Sequence, residues 1–298
     1  NMFKNFALFT VSGKLQAFTV VFGFLSFGLV FPLAAIISGA ALVLVTLYVD
    51  PKNATLITLF AVVALAATTY FLMGNPLVGA TAALAQLTPS LFLASLLYQT
   101  RSLSFSLQAA AILGVIAFVA IKFFYPQDVS FWESALTPML NSMFEVSGIT
   151  AEESQTLIRE ISTYMTGVMI TSIVLVHSII LYFGYWLFCK AKDSEQYKKD
   201  FREVRLGKAL AALAVVTCIW AVTAQSPYIA QLCAILSVLF AIQGMTMIHV
   251  LCATLKKGKL WLVISYLVII FVPQAIFFVI VLGLSDSFFN LRNKLEAN

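Results

Sequence analysis

Gln243, Thr246 and His249 stand three residues apart in a long apolar run, so on an α-helix they share one broad face. Gly244 lies beside them and lets another helix approach closely. An amide, a hydroxyl and an imidazole surrounded by hydrocarbon can hold a small ligand by neutral hydrogen bonds, and the imidazole adds a group capable of acid–base work. Gln274 follows Pro273, whose ring frees a carbonyl upstream that a polar group can ligate. His177 sits in another apolar run with Thr171, Ser178, Tyr182 and Tyr185 nearby, and Gln86 precedes Thr88, Pro89 and Ser90. A proline-interrupted helix at mid-membrane is a pointer to a transporter binding site. These six, Gln86, His177, Gln243, Thr246, His249 and Gln274, are the candidate ligand-binding residues. For His177 a plain interhelical hydrogen bond is the commoner reading, and for Gln274 it is an equally open one.

Several chemistries are missing from the chain. The apolar runs carry almost no charge, so no carboxylate within them is placed to move a proton, and self-powered ion coupling is not indicated. No glycine-rich phosphate loop, HExxH pair or GxSxG elbow occurs, and no pair of aspartates lies inside an apolar run. Cys189, Cys218, Cys233 and Cys252 lack CxxC spacing and read as reduced, apolar-packed thiols rather than a zinc or disulfide framework. No metal site, cofactor or catalytic residue is assigned, and nucleic acid is not an expected partner.

The elements that must position these side chains are membrane helices. Of the residues 61% are hydrophobic and 10% charged, and the mean hydropathy is +0.97, whereas soluble domains carry roughly 25% charged residues. The apolar runs are continuous and about 20 residues long, which excludes the ten-residue alternating strands of a membrane barrel. The fold class is therefore all-α: a polytopic transmembrane bundle of about eight to nine spans. The expected spans are 15–30, 33–48, 55–73, 78–98, 103–124, 164–189, 209–224, 229–255 and 260–284. Pro32 divides the first two, because 14–48 is too long for one crossing of a core about 30 Å thick. Small residues at Ala34, Ala35, Ser38 and Gly39, and at Ala110 and Gly114, mark packing faces.

The domain division read from the sequence is an N-terminal bundle at 1–124, an extracytoplasmic amphipathic helical loop at 125–163, and a C-terminal bundle at 164–298 that includes a basic loop at 190–208. A cytoplasmic N-terminus places fourteen of the eighteen lysines and arginines inside, with the acidic 125–163 loop outside. The expected topology is thus multi-pass with a cytoplasmic N-terminus. In the outer loop Val129, Leu136, Met139, Leu140, Met143 and Phe144 recur at helical spacing. Thr150-Ala-Glu-Glu153 reads as a capping box opening a helix that continues into the sixth span. Lys122 is expected to reach toward Asp128 or the headgroups. A last span broken at Pro273 would return Arg292 and Lys294 to the inside. The inner loop alternates signs like a solvated or interfacial helix, and reads either as an ordinary juxtamembrane segment on anionic lipid or as a docking surface.

Three strings carry a family resemblance: Tyr197-Lys-Lys-Asp-Phe201-Arg-Glu-Val-Arg205-Leu206, Gln243-Gly244 followed five residues later by His249, and Leu282-Gly283-Leu284-Ser-Asp286-Ser-Phe-Phe-Asn-Leu-Arg292. In this order they resemble the YybS-like bacterial inner-membrane proteins, most strongly over 164–294. The resemblance implies a polytopic protein distantly likened to the substrate-binding subunits of energy-coupling-factor transporters, although about nine spans exceed the six of those subunits. Phe201, Arg205, Asp286 and Arg292, within the strings, are the candidate partner-docking residues. Three functions follow as expectations. The first is a transport or binding subunit for a small or amphiphilic molecule that relies on a partner for energy. The second is a structural or regulatory scaffold of a membrane complex, and the third a lipid-active enzyme using His177 or His249. Membrane lipids, a membrane or cytoplasmic protein and the small ligand are the partners expected.

Overall fold

The computed structural model describes residues 2–255 and 259–292; Lys294 lies outside the described residues. Thirteen helices are present: α1 (Met2–Val11), α2 (Lys14–Gly28), α3 (Leu33–Tyr48), α4 (Pro51–Met73), α5 (Pro76–Thr100), α6 (Leu103–Phe124) and α7 (Asp128–Val146), then α8 (Ala151–Ala191), α9 (Gln196–Glu203), α10 (Gly207–Ala224), α11 (Pro227–Thr254), α12 (Lys259–Phe271) and α13 (Ala275–Phe289). Among the described residues there is no strand. Each expected span is helical, but among the described residues only six helices are long and apolar enough to cross a membrane alone: α4, α5, α6, α8, α10 and α11. The others stop short for local reasons. A 117° bend at Ser12-Gly13 separates α1 from α2, Pro32 separates α2 from α3, and Pro273 splits the expected last span into α12 and α13.

The helices form two compact units that are not sequential: 1–110 with 176–204, and 111–175 with 205–298. The long helices α6 and α8 therefore contribute to both. At 41 residues, α8 extends about 60 Å, twice the hydrocarbon thickness of about 30 Å, so its polar N-terminal turns stand clear of the bilayer.

In the first unit α2 and α3 form a hairpin. The Ser38 hydroxyl donates to the Val21 carbonyl at 2.7 Å, and a Cβ added at Gly28 would lie 3.0 Å from that of Ala35. Every residue from Ser38 to Leu47 is buried. Such a helix does not face lipid, so its 16 residues are not held to bilayer thickness. Small side chains make this packing possible: a Cβ at Gly39 would meet Ile180 at 2.9 Å and Ser90 at 3.1 Å. The next helix, α4, starts at an Asp50 cap, whose carboxylate accepts from the Asn53 amide at 2.7 Å.

The second unit is built on α11, buried continuously from Ile235 to Gly244. Its side chains are tied to α8 through Gln231, which accepts from the Gly167 amide at 2.8 Å and donates to the Thr163 carbonyl at 3.1 Å. Contact between α11 and α13 is backbone on backbone. A Cβ at Gly244 would overlap the Val279 carbonyl, and one at Gly283 would overlap the carbonyl of Phe240. The Lys122 ammonium meets Asp128 at 2.6 Å, and both side chains are largely buried rather than extended to water. Asp128 also accepts from Thr166 at 2.5 Å, which in turn accepts from the Trp132 indole at 2.9 Å, so α7 is pinned to α8. The capping box is present: Thr150 N–H donates to the Glu153 carboxylate at 3.0 Å, and Glu153 N–H to the Thr150 hydroxyl at 3.3 Å.

One sequence expectation is corrected. Cys218 of α10 and Cys233 of α11 form a disulfide with Cα atoms 5.1 Å apart, while Cys189 and Cys252 are free. The two bonded cysteines are nearly equidistant from the Gln225-Ser226 turn, so the α10–α11 hairpin sets them opposite one another without any CxxC spacing.

Gly283→Ala is expected to destabilise by about 1–3 kcal/mol through overpacking, whereas Gly23→Ala, where a Cβ meets nothing within 4 Å, should be neutral; thermal unfolding in micelles compares the two. The backbone N–H and then the side chain of Asn53 hold the Asp50 carboxyl below its ordinary value. Its contribution is therefore present above the unfolded-state carboxylate pKa and is lost as pH falls through the depressed folded value. Asp50→Asn keeps the cap but should remove this part of the acid sensitivity, read as Tm against pH.

Candidate functional site

Gln243 occupies the buried middle of α11, and neither end of its amide is left free. Its Oε1 accepts from the Leu206 backbone N–H at 2.9 Å and the Ser287 hydroxyl at 3.1 Å, while Nε2 donates to Asp286 Oδ2 at 2.9 Å. The same carboxylate oxygen accepts from Arg292 Nε at 2.9 Å. Arg292 Nη2 donates to the Thr246 hydroxyl at 2.8 Å, and that hydroxyl donates to the Gln243 carbonyl at 2.7 Å. The ring of bonds is closed.

Local structure explains how the charge pair forms within six residues of chain. Asn290, the C-cap of α13, adopts a left-handed conformation at φ 49°, which asparagine tolerates better than most residues. The helix ends there, and Arg292 turns back onto Asp286. Arg205 Nη1 donates to the Asn290 side chain at 3.3 Å, adding the chain ahead of α10 to the assembly. Asp286 is 0% and Arg292 3% exposed, so neither offers side-chain surface to a docking partner. An ion pair so deeply buried holds the α10, α11 and α13 segments in one register, because separating its members leaves an uncompensated charge. The second carboxylate oxygen, Asp286 Oδ1, is buried without a hydrogen-bond partner.

The remaining candidates fall elsewhere. His249 points away from this ring, with Nε2 3.0 Å from the Tyr266 hydroxyl on an exposed face. Gln274 is exposed in the break ahead of α13 and makes no side-chain cap. In the first unit Gln86 and His177 come together: a ring nitrogen of His177 lies 3.2 Å from the Gln86 carbonyl, and Gln86 Nε2 donates to the Ala35 carbonyl at 2.8 Å. That pair bridges helices across a small-residue face. Phe201 of α9 packs its ring 5.2 Å from that of Tyr182.

An open cavity of about 420 Å³ lies in the first unit, and none of the six candidate ligand residues lines it. Its lining combines apolar Leu47, Leu97, Leu103 and Phe188 with polar Arg101, Ser102, Tyr185, Gln196, Asp200 and Glu203. The Tyr185 hydroxyl donates to Asp200, which also accepts from Gln196 at 2.8 Å. Arg101 is left-handed at φ 57° and its guanidinium lies 5.2 Å from the centre of the Tyr98 ring. A left-handed arginine between two helices is a costly conformation of the kind that gathers at ligand sites. Among the described residues no three His, Cys, Asp or Glu side chains gather as a metal would need.

The model of a family of predicted membrane proteins, DUF2232, matches residues 17–287. The chain belongs to this family. No curated protein and no solved structure matches it. The DUF2232 match runs from α2 to within α13 and so includes Gln243, Thr246 and Asp286 but ends before Arg292. The ion pair was partly legible, because an asparagine between an aspartate and an arginine is a helix-stop signal that can fold the base back on the acid. The cavity was not, because its lining comes from five separate helices and their connections.

Asp286→Leu or Arg292→Met alone should each cost about 3–5 kcal/mol, since each strands a buried charge. The double substitution should cost less than the two single costs combined. Thermal unfolding of the four proteins in one detergent closes the cycle.

Proposed function

We propose that this DUF2232 protein is a membrane-embedded binding or transport subunit for a small amphiphilic molecule, energised by a partner protein. The observation that carries the reading is the cavity whose lining combines apolar Leu47, Leu97, Leu103 and Phe188 with polar Arg101, Tyr185 and Asp200. Its volume of about 420 Å³ falls within the usual range of small-molecule sites, about 300–1,000 Å³. The apolar side chains suit a hydrocarbon portion, and the polar ones a headgroup with hydrogen-bonding or charged atoms. Reliance on a partner is supported by the state of the buried carboxylates: Asp128 and Asp286 are each engaged by a cation, Lys122 and Arg292 respectively. In this proposal the closed ring around Gln243 holds the helices in register, and the ligand binds at the cavity instead.

The proposal also places the chain in a bacterial cytoplasmic membrane with its N-terminus inside. The basic-residue count supports this, and so does the cysteine chemistry. By that parity the Cys218–Cys233 disulfide lies near an outer turn, where oxidation persists, and free Cys189 and Cys252 lie toward inner ends. A scaffold role draws on one separate observation: α12 is exposed around most of its circumference, Trp261, Val263, Leu267 and Phe271 included, an apolar surface that lipid or a partner helix can cover.

Wild-type protein and Arg101→Ala, purified from the native membrane, are to be compared by mass spectrometry of co-purifying small molecules and proteins. A retained amphiphile that falls about tenfold in the variant, the scale of one lost charge-assisted hydrogen bond, supports the reading. A stoichiometric protein partner with an unchanged small-molecule profile overturns it in favour of the scaffold.

A further inference from the structure

Helix α7 has the apolar spacing of an amphipathic helix, and part of that apolar surface is left open. Phe131, Met139, Met143 and Val146 are exposed at 50%, 70%, 56% and 90%. Its half-buried side is mixed: Val129, Trp132, Leu136, Leu140 and Phe144 turn inward, and beside them Glu133, Thr137 and Asn141, four residues apart, line a cavity of about 430 Å³. Across it the first turns of α8 present Glu152, Gln155, Thr156 and Arg159. Buried Ile158 also lines the cavity, and its other lining side chains are hydrogen-bonding groups around open space.

The chemistry of those groups selects the occupant. The Thr137 and Thr156 hydroxyls donate to the carbonyls of Glu133 and Glu152, at 2.6 and 3.1 Å, leaving their oxygens to accept. Asn141 Oδ1 accepts from Ser154 at 3.1 Å, so its amide nitrogen remains to donate. Glu133 lies 3.8 Å from Arg159, whose side chain is 80% exposed. An anion would meet two carboxylates at this cavity, and a simple cation would meet an amide N–H and a guanidinium. A neutral molecule with several hydroxyls satisfies both sets, since each hydroxyl donates and accepts. We propose that the α7–α8 cavity binds a neutral polyhydroxylated compound, a sugar or polyol, either free or as the headgroup of a lipid. The site lies wholly within the second unit and is independent of the amphiphile cavity.

The test uses the full chain in nanodiscs free of sugar-based detergent, with saturation-transfer NMR against glucose and myo-inositol. A parallel arm uses nanodiscs containing a galactolipid, with retained lipid read by native mass spectrometry. Calcium and spermidine serve as cationic probes. Glu152→Gln and Gln155→Ala alter exposed side chains and leave the fold intact. The expected result is binding in one polyol arm, weakened about tenfold by either substitution; signal with free sugar identifies a soluble ligand, and signal with galactolipid alone a headgroup. Binding of a cation without any polyol overturns the proposal, as does an absence of binding in both arms or polyol binding that neither substitution alters.

Discussion

A carboxylate and a guanidinium that are both removed from solvent persist only in each other's company, and much of the second unit is arranged around that requirement. Asp286 and Arg292 meet at 2.9 Å, and each also bonds to α11, Asp286 through Gln243 and Arg292 through Thr246. The backbone-on-backbone crossing at Gly244 and Gly283 makes this geometry accessible, because the distance it closes is what brings Asp286 within reach of the Gln243 amide. Apolar packing alone is a weak guide to register in a bilayer, where lipid tails compete on equal terms with side chains. A closed polar ring supplies the missing specificity, since shifting either helix by one turn would break several of its bonds at once.

The two units solve the same problem differently. In the first, α3 is wrapped by its neighbours and meets them through Ala, Ser and Gly positions, with single hydrogen bonds such as Ser38 to Val21. In the second, α11 carries the same central role but is held by amides and a charge pair. Each central helix is isolated from lipid, and that is why a 16-residue α3 is stable at a length that would leave a lipid-facing span too short for a core about 30 Å thick.

The polar residues divide by what surrounds them. Gln243, Thr246 and Gln86 are deep and committed to protein partners, so their hydrogen-bonding capacity is spent on the fold. The groups that retain capacity are less buried, at Arg101 and Asp200 and among the polar side chains between α7 and α8. That distribution follows from dielectric environment: deep in hydrocarbon an unmade hydrogen bond is costly, whereas at an aqueous margin water can occupy the site until a ligand arrives.

Much of the helical framework was legible from residue order. Hydropathy set the class, Pro32 and Pro273 set two breaks, Thr150 to Glu153 set the start of α8, and the proximity of Lys122 to Asp128 anticipated their pairing. These are local properties, decided by bonds within a few residues. The bonding of Cys218 to Cys233 was open to a hairpin argument from the Gln225-Ser226 turn but not to motif spacing. Only tertiary structure decided that Asp286 and Arg292 are interior, that Gln243 is spent while His249 faces outward, and that cavities form beside Arg101 and between α7 and α8. The physical reason is that composition and period determine whether a segment is helical and apolar, whereas the direction a polar side chain faces depends on which helices pack against it. That is settled by close crossings such as Gly244 with Gly283, between residues far apart in the chain.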